Sequence, residues 1–439
     1  MRIIPTLFAL TLLLLATGCS QTRLLTKHDY EKSQSYFIQG NANDALLDRP
    51  RRAEQGTFIN AMERGYLNLI QGRPSIKALR HQAKILENRV RYHISREAKT
   101  FFYLQTPEDY YASEHEVIWL HLLLSWGYSL EKDYENAAIE ARIAGSLLSL
   151  PWSPEGHFDD PTLRLFLASL WTMCGEWEEA QVDLRAAWAL DNSLTWAREL
   201  AQLERPPANL FIVLGGPGPE PIWSPEFTIN PLRSERQVSF KLRGKKSALS
   251  ITDKSGISIP THISPDASHW YARHVARESE LHEMMLDSAY GGNAAVSGVV
   301  ATAKIAVSTS FGIAVGLGGS ALGAAVMYLG LEGKSEDLFG AGAAIVGYSL
   351  LKGLVISKEG YEESSKELNQ QLDPSESYRF VRYLPEYLWM GWSQQAISYP
   401  LKLRTPYSQT GIMQPTIINN NSLISIAYLP DTGERFLGY

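Results

Sequence analysis

"KDYENAAIEA" (Lys132–Ala141) and "GEWEEAQVDL" (Gly175–Leu184) carry one short pattern twice, 43 residues apart. Each holds a turn, an aromatic residue, two acidic or polar residues and then an alanine. Each follows an apolar stripe. Trp119, Leu122, Leu123, Trp126 and Leu130 fall at i, i+3, i+4, i+7 and i+11, a spacing that aligns side chains on one face of an α-helix. Leu163, Phe166, Leu167, Leu170 and Cys174 repeat that spacing 44 residues later, and Phe58, Ala61, Met62, Gly65 and Leu69 show it earlier. The pattern predicts helical hairpins over 30–205. In each, small Ala137 or Ala180 lets a second helix approach the first closely.

Recurring hairpins of this kind resemble the tetratricopeptide repeat, a helix pair that stacks into a solenoid. The period here is 43 to 44 residues, against about 34 in that family. The loop "SLPWSPEGHFDDP" (Ser149–Pro161), rich in turn formers, accounts for the excess. An earlier unit, "GYLNLIQGRPSIKAL" (Gly65–Leu79), is degenerate, with Pro74 where the aromatic residue belongs. The resemblance implies a concave surface for a protein or peptide partner; the alternative is a plain helical bundle with no groove in use. Trp126 and Trp177 read as residues that pack helix on helix. Cys174 belongs to an apolar stripe, which makes it a small buried hydrophobe rather than a nucleophile.

The rest of the chain surrounds these helices. Its 439 residues allow several domains, and 45% hydrophobic with 20% charged residues is ordinary for a folded globular protein. A formal net charge of -6 leaves no basic stripe to neutralise phosphates, so nucleic-acid binding is not expected. Cys19 and Cys174 are the only cysteines, too few for a disulfide framework or a zinc site built of cysteines.

"NLFIVLGGPGPEPIW" (Asn209–Trp223) runs from a short apolar strand, Leu210–Leu214, into a glycine-proline loop. Such a loop could hold a phosphate. A phosphate loop, however, needs amide donors at a helix start, and a lysine or a Gly-x-Gly-x-x-Gly pattern. Here Pro217, Pro219 and Pro221 remove donors, no lysine is present, and Glu220 stands where phosphate charge would go. The loop reads as a rigid turn, and no nucleotide is expected. Strand-like runs follow. "RQVSFKL" (Arg236–Leu242) and "SALSIT" (Ser247–Thr252) read as a hairpin. "AISYPLKLR" (Ala396–Arg404) and "SLISIAYL" (Ser422–Leu429), split by the turn "NNNS", are similar. All are expected to share one small sheet, within a β-containing region at 206–290 and a helix-plus-β region at 361–439.

The N-terminus reads "MRIIPTLFALTLLLLATGC" (Met1–Cys19), with Arg2 ahead of an apolar run of 13 residues, Ile3–Leu15. That run is too short to span a bilayer comfortably. Small residues ending in Cys19 resemble the lipobox of bacterial lipoproteins, with Ala16 where that family usually has leucine. The resemblance implies a signal peptide at 1–18, removed ahead of Cys19, and a lipidated linker at 19–29. It implies a diacylglyceryl group on the Cys19 sulfur and a fatty acyl chain such as palmitate on its new amino group. Several acyl chains give durable anchoring where one does not. In that family an aspartate after the cysteine tends to retain the protein at the inner membrane, so Ser20 implies the outer membrane, facing the periplasm. The alternative is an ordinary secretory leader with a chance cysteine.

Residues 291–360 hold 15 of the 33 glycines, and Ile305–Leu331 is 27 residues without a charge. Gly312 and Gly316, then Gly319 and Gly323, have the small-x-x-x-small spacing that lets helices touch. With a second run at Leu338–Leu351 they predict a Gly/Ala-rich helical hairpin with a charged tip. Length permits membrane entry. The composition, poor in bulky apolar residues, favours a hairpin packed on the protein itself or on another copy.

No catalytic constellation emerges. His269 and His274 do not share a helical face, and His282-Glu283 lacks the second histidine of a zincin. Glu178-Glu179 and Glu362-Glu363 fit solvated helix faces. No catalytic, cofactor-binding or metal-ligating residue is assigned; the one site residue is Cys19, for lipidation. The order of features, ending in "SESYRFVRYLPEYLWMGW" (Ser375–Trp392), resembles a family of Gram-negative outer-membrane lipoproteins with degenerate tetratricopeptide-like repeats. That resemblance implies a partner from peptidoglycan synthesis and supplies no catalytic residues. The fold expected is mainly α, α+β overall. The function expected is a lipid-anchored periplasmic scaffold that binds a protein partner. A membrane-inserting component of an envelope or secretion machine, acting through 305–351, and a cell-wall hydrolase are the alternatives.

Overall fold

The computed structural model describes residues 27–50, 57–93, 112–152, 157–224, 237–244, 246–276, 379–405, 409–413, 417–419 and 422–430. Cys19 with its leader, the 291–360 segment, His282-Glu283 and Glu362-Glu363 lie outside them.

The N-terminal half is helical: α1 (Lys27–Ile38), α2 (Ala42–Asp48), α3 (Thr57–Leu69), α4 (Ile76–His93), α5 (Glu114–Leu130), α6 (Tyr134–Ser149), α7 (Pro161–Cys174), α8 (Trp177–Leu190) and α9 (Thr195–Leu200). Local chemistry fixes their ends. Asp160 accepts from the N–H groups of Thr162 (2.9 Å) and Leu163 (3.0 Å), and Pro161 opens α7, so the first turn is capped and preset. The helix stops at Gly175, whose φ of +85° is the left-handed cap a Cβ would penalise. Asp133 accepts from the Asn136 N–H to start α6.

The expected hairpins α5–α6 and α7–α8 form, and each helix packs on the next. Ala137, Ala141 and Ala144 on α6, and Ala180 and Ala187 on α8, are fully buried. Trp126 meets Phe166 edge-on with ring centroids 5.9 Å apart, and Trp119 lies 5.1 Å from the same ring. Almost every position of α5 and α7 is buried. The stripe predicted on one face thus understates their enclosure. These helices are covered on the side away from α6 and α8 as well.

The neighbouring helices α3 and α4 supply that cover for α5, and strands supply it for α7. β1 (Asn209–Gly215) lies in a sheet ordered β10–β11–β1–β7–β6, with β6 (Thr261–Ile263), β7 (Tyr387–Ser393), β10 (Ile417–Asn419) and β11 (Ser422–Leu429). β1 runs parallel to β11 and antiparallel to β7. β5 (Ser258–Ile259), β4 (Ser250–Thr252), β8 (Leu401–Arg404) and β9 (Gln409–Met413) form a second sheet in that order, and β2 (Glu220–Ser224) pairs with β3 (Gln237–Lys241). Every residue of β1 is buried. Leu210, Ile212 and Leu214 join the helical core, while Phe211 and Val213 join Leu249, Ile251, Leu401 and Leu403 of the second sheet. Two-sided burial explains why β1 is a continuous apolar run rather than an alternating one.

The layers are therefore helices, central sheet and small sheet, an α+β architecture. Helices from 30–205 and strands from the later regions share one core. α10 (Ser268–Ala276) returns to the helices, with Trp270 stacked on His115 at 5.6 Å and 6.2 Å from Trp119.

Two strand expectations need correction. Arg236–Leu242 and Ser247–Thr252 do not pair: β3 pairs with β2, and β4 with β5 and β8. The later strands do not share a sheet either, since β8 lies in the small sheet and β11 beside β1. After β3 the chain turns inward at Arg243, whose guanidinium reaches the carbonyls of Pro217 and Gly218. It therefore does not fold back on β3. Burial separates β8 from β11: β8 alternates buried and exposed, whereas half-buried β11 packs Ile424 and Ile426 on the helical core and Leu429 on the small-sheet core.

Candidate functional site

The glycine-proline loop after β1 lies at a junction. Gly216 and Gly218 have φ values of +89° and +83°, open to glycine at no steric cost. A Cβ on Gly218 would collide with the Arg382 carbonyl oxygen, and one on Gly216 would stand 2.8 Å from the Glu386 Cβ. Arg243 donates from Nε to Gly218 O (2.8 Å) and from Nη2 to Pro217 O (3.1 Å). The loop binds a guanidinium through its carbonyls; it does not present a row of N–H groups to an anion.

A strap at 379–386 closes the junction. Its backbone is held by buried acids of the helices: the Val381 N–H donates to Glu116 Oε1 (2.9 Å) and the Arg382 N–H to Glu63 Oε1 (3.2 Å). The Arg382 guanidinium lies over the rings of Tyr30 (4.3 Å) and Phe380 (4.6 Å). The Tyr383 and Ser33 hydroxyls are hydrogen-bonded at 2.6 Å. Glu386 then buries its carboxyl completely, with Oε2 accepting from the Gly244 N–H at 2.8 Å.

The electrostatics of this centre are unusual. Burial pushes the Glu386 carboxyl up to about 7, against the pull of the Gly244 and Arg243 backbone donors and of the Arg243 charge. Burial lowers the Arg243 pKa, opposed by Glu220 and Glu386, and holds Tyr66, Tyr271 and Tyr428 well above the ordinary tyrosine value. Glu386 Oε1, Tyr66 Oη and Tyr271 Oη have no hydrogen-bond partner among the described residues. The centre can take up or release a proton near neutral pH. Its signal in the sequence is one acid, Glu386, directly after Pro385 at the head of the apolar run of β7.

A second feature faces outward. Ile139, Arg142, Ile143, Leu147, Leu150 and Trp152 line an apolar groove of about 370 Å³ along α6. Ile139 is 44% and Leu150 59% exposed, and the Trp152 Nε1–H donates to Leu147 O at 2.6 Å. Arg142 is the charged residue of the lining among the described residues.

Of the residues singled out from the sequence, Trp126 and Trp177 are buried, and the Trp177 indole N–H donates to Leu203 O at 3.0 Å. Cys174 packs partly buried against the core, and burial pushes its thiol up to about 11. His269 stacks on Phe158 at 5.5 Å, outside the junction. Glu178 and Glu179 are exposed on α8. Among the described residues no cluster of three or more His, Cys, Asp or Glu could hold a metal ion, and no helix is long and apolar enough to cross a membrane. No protein-family model, curated protein or solved structure matches the chain.

Proposed function

We propose that the protein is a lipid-anchored binding scaffold of the bacterial cell envelope. It is held at the outer membrane through Cys19, faces the periplasm, and docks a protein partner on tetratricopeptide-like hairpins. The observation that carries this reading is the contrast between the two sides of the helical layer. The inner side is filled by the chain's own helices and central sheet, whereas the α6 groove opens outward. Exposed apolar surface with a concave shape is where binding energy is available.

The lining specifies the occupant. Among the described residues it presents aliphatic and aromatic side chains, the Ser146 hydroxyl and one cation, Arg142. The complementary partner is an amphipathic segment of a protein, laying aliphatic side chains into the groove and a carboxylate against Arg142. A component of peptidoglycan synthesis is the partner class that the lipoprotein resemblance suggests.

The test is a photocrosslinking residue at Ile143 in intact cells, with the adduct digested and sequenced. The expected product is a peptide with apolar residues at helical spacing and an Asp or Glu near the crosslink, lost in Arg142→Glu. Lipid adducts, adducts to a second copy, or a yield no greater than from exposed Glu178 would overturn the docking reading. Cys19→Ser should abolish palmitate labelling and release the protein from the membrane fraction; unlabelled wild-type protein would rule out the anchor. Residues 20–439 expressed in the periplasm should be soluble after carbonate extraction. Carbonate-resistant association would instead favour membrane insertion through 305–351.

A further inference from the structure

Glu386 ties together segments far apart in the chain. Its backbone N–H donates to Gly215 O at 2.8 Å, and its carbonyl accepts from the Ala267 N–H at 2.7 Å. Its Oε2 takes the Gly244 N–H, and its side chain presses on Gly216. The end of β1, the segment after β3, the turn before α10 and the strap therefore all meet at one residue, Glu386. Yet its carboxyl is poorly equipped to carry a charge. Its Oε1 is unpartnered among the described residues, and the Arg243 guanidinium beside it directs Nε and Nη2 to the loop carbonyls instead. A buried carboxylate with an unpaired oxygen is costly, while the neutral acid avoids most of that cost.

We propose that Glu386 is a proton-operated lock. It is neutral in the closed protein, and loss of its proton loosens the glycine-proline loop and the strap packed around it. The groups that bear on it are Arg243 after β3, Asp266 ahead of α10, Tyr271 on α10 and Tyr428 on β11. Asp266 adds a like charge and Arg243 an opposite one. Both phenols stay neutral, because burial holds them well above their usual value. Arg382 and Glu220 act in turn on Arg243.

The direction of the effect follows from linkage. Glu386 is raised from an ordinary 4.5 to about 7, so the closed form holds more protons than the open form between those values. Closure is strongest below pH 4.5, weakens as pH rises through this window, and levels off above about 7. The test is hydrogen exchange followed by mass spectrometry on segments 215–219, 241–244 and 386–392, corrected for the intrinsic pH dependence of exchange. In the wild type the opening constant should rise by up to about tenfold per pH unit across the window; in Glu386→Gln it should stay flat. An equal rise in both proteins would overturn the proposal. If Glu386→Gln does not fold, infrared spectroscopy of wild-type protein labelled with ¹³C-glutamate decides. A buried protonated carboxyl band should persist near pH 6 and vanish by about pH 8. No such band near pH 6 would show that Glu386 is already ionised in the closed state, and the lock would be wrong.

Discussion

Arg164 on α7 donates from Nη1 to Asp183 Oδ1 on α8 at 2.6 Å, joining the two helices of the second hairpin at their buried faces. Nothing in this network is left half-paired. Arg164 also donates from Nε and Nη2 to the two oxygens of Asp159, at 2.8 Å each, and the Trp171 indole N–H donates to Asp183 Oδ2 at 2.9 Å. Burial disfavours the Arg164 charge, but hydrogen bonds and charge from Asp159 and Asp183 outweigh it and hold its pKa above the ordinary value. Burial also raises the Asp183 carboxyl against the pull of Arg164. The short, aligned contacts are those of an ionised pair. Removing one member leaves the other buried and uncompensated, at about 3–5 kcal/mol. Asp183→Ala should lower stability by that order in urea unfolding. A loss below about 1 kcal/mol would mean that water reaches the pair.

Trp126 is 1% exposed and wedged against Phe166, whereas Trp177 is 8% exposed and hydrogen-bonds Leu203 O at the edge of the core. Trp126→Ala should cost about 3–5 kcal/mol, with a clear drop in Tm. Trp177→Ala should cost less. Equal melting curves for wild type and Trp126→Ala would show that the α5–α7 contact is misplaced.

Two glycines with positive φ should respond differently to the same change. Gly256, at +93°, has open space where a Cβ would go, while Gly218, at +83°, faces the Arg382 carbonyl. Gly256→Ala should cost only the left-handed backbone strain, about 1–2 kcal/mol. Gly218→Ala must also push the strap away, so its urea midpoint should fall further. If the two variants unfold together, the strap does not press on the loop.

Cys174 should be a sluggish thiol. Burial and the nearby Glu176 raise its pKa from 9.0 to about 11, against the weaker pull of the neighbouring Ser129 hydroxyl, and only the thiolate reacts. In a Cys19→Ser form, reaction with a disulfide reagent near pH 8 should be about a hundredfold slower in the folded protein than in urea. Rapid labelling of the folded protein would place the thiol in solvent.

The α5–α6 and α7–α8 hairpins were legible in the sequence because their causes are local. An apolar residue every third or fourth position, Asp133 and Asp160 as caps, Gly175 as a stop and Ala137 and Ala180 at the contact all act within a few residues. The apolar run Leu210–Leu214 was legible for the same reason. Strand partners were not. β3 and β4 are near in sequence and have suitable residues, yet they pair elsewhere, because pairing depends on which faces become buried once the whole chain has collapsed. Glu386 was equally hidden. One acid beside a proline is unremarkable until Gly215, Gly244 and Ala267, remote along the chain, close around it and shut out water. Neighbouring residues along the chain already dictate the α5–α6 and α7–α8 hairpins and the buried apolar run of β1. The two buried faces of β1, the filling of the hairpins' inner side and the enclosure of the Glu386 carboxyl arise only when remote segments of the chain come together. Hydrophobic period and capping are properties of neighbouring residues, whereas desolvation and sheet order belong to the assembled core.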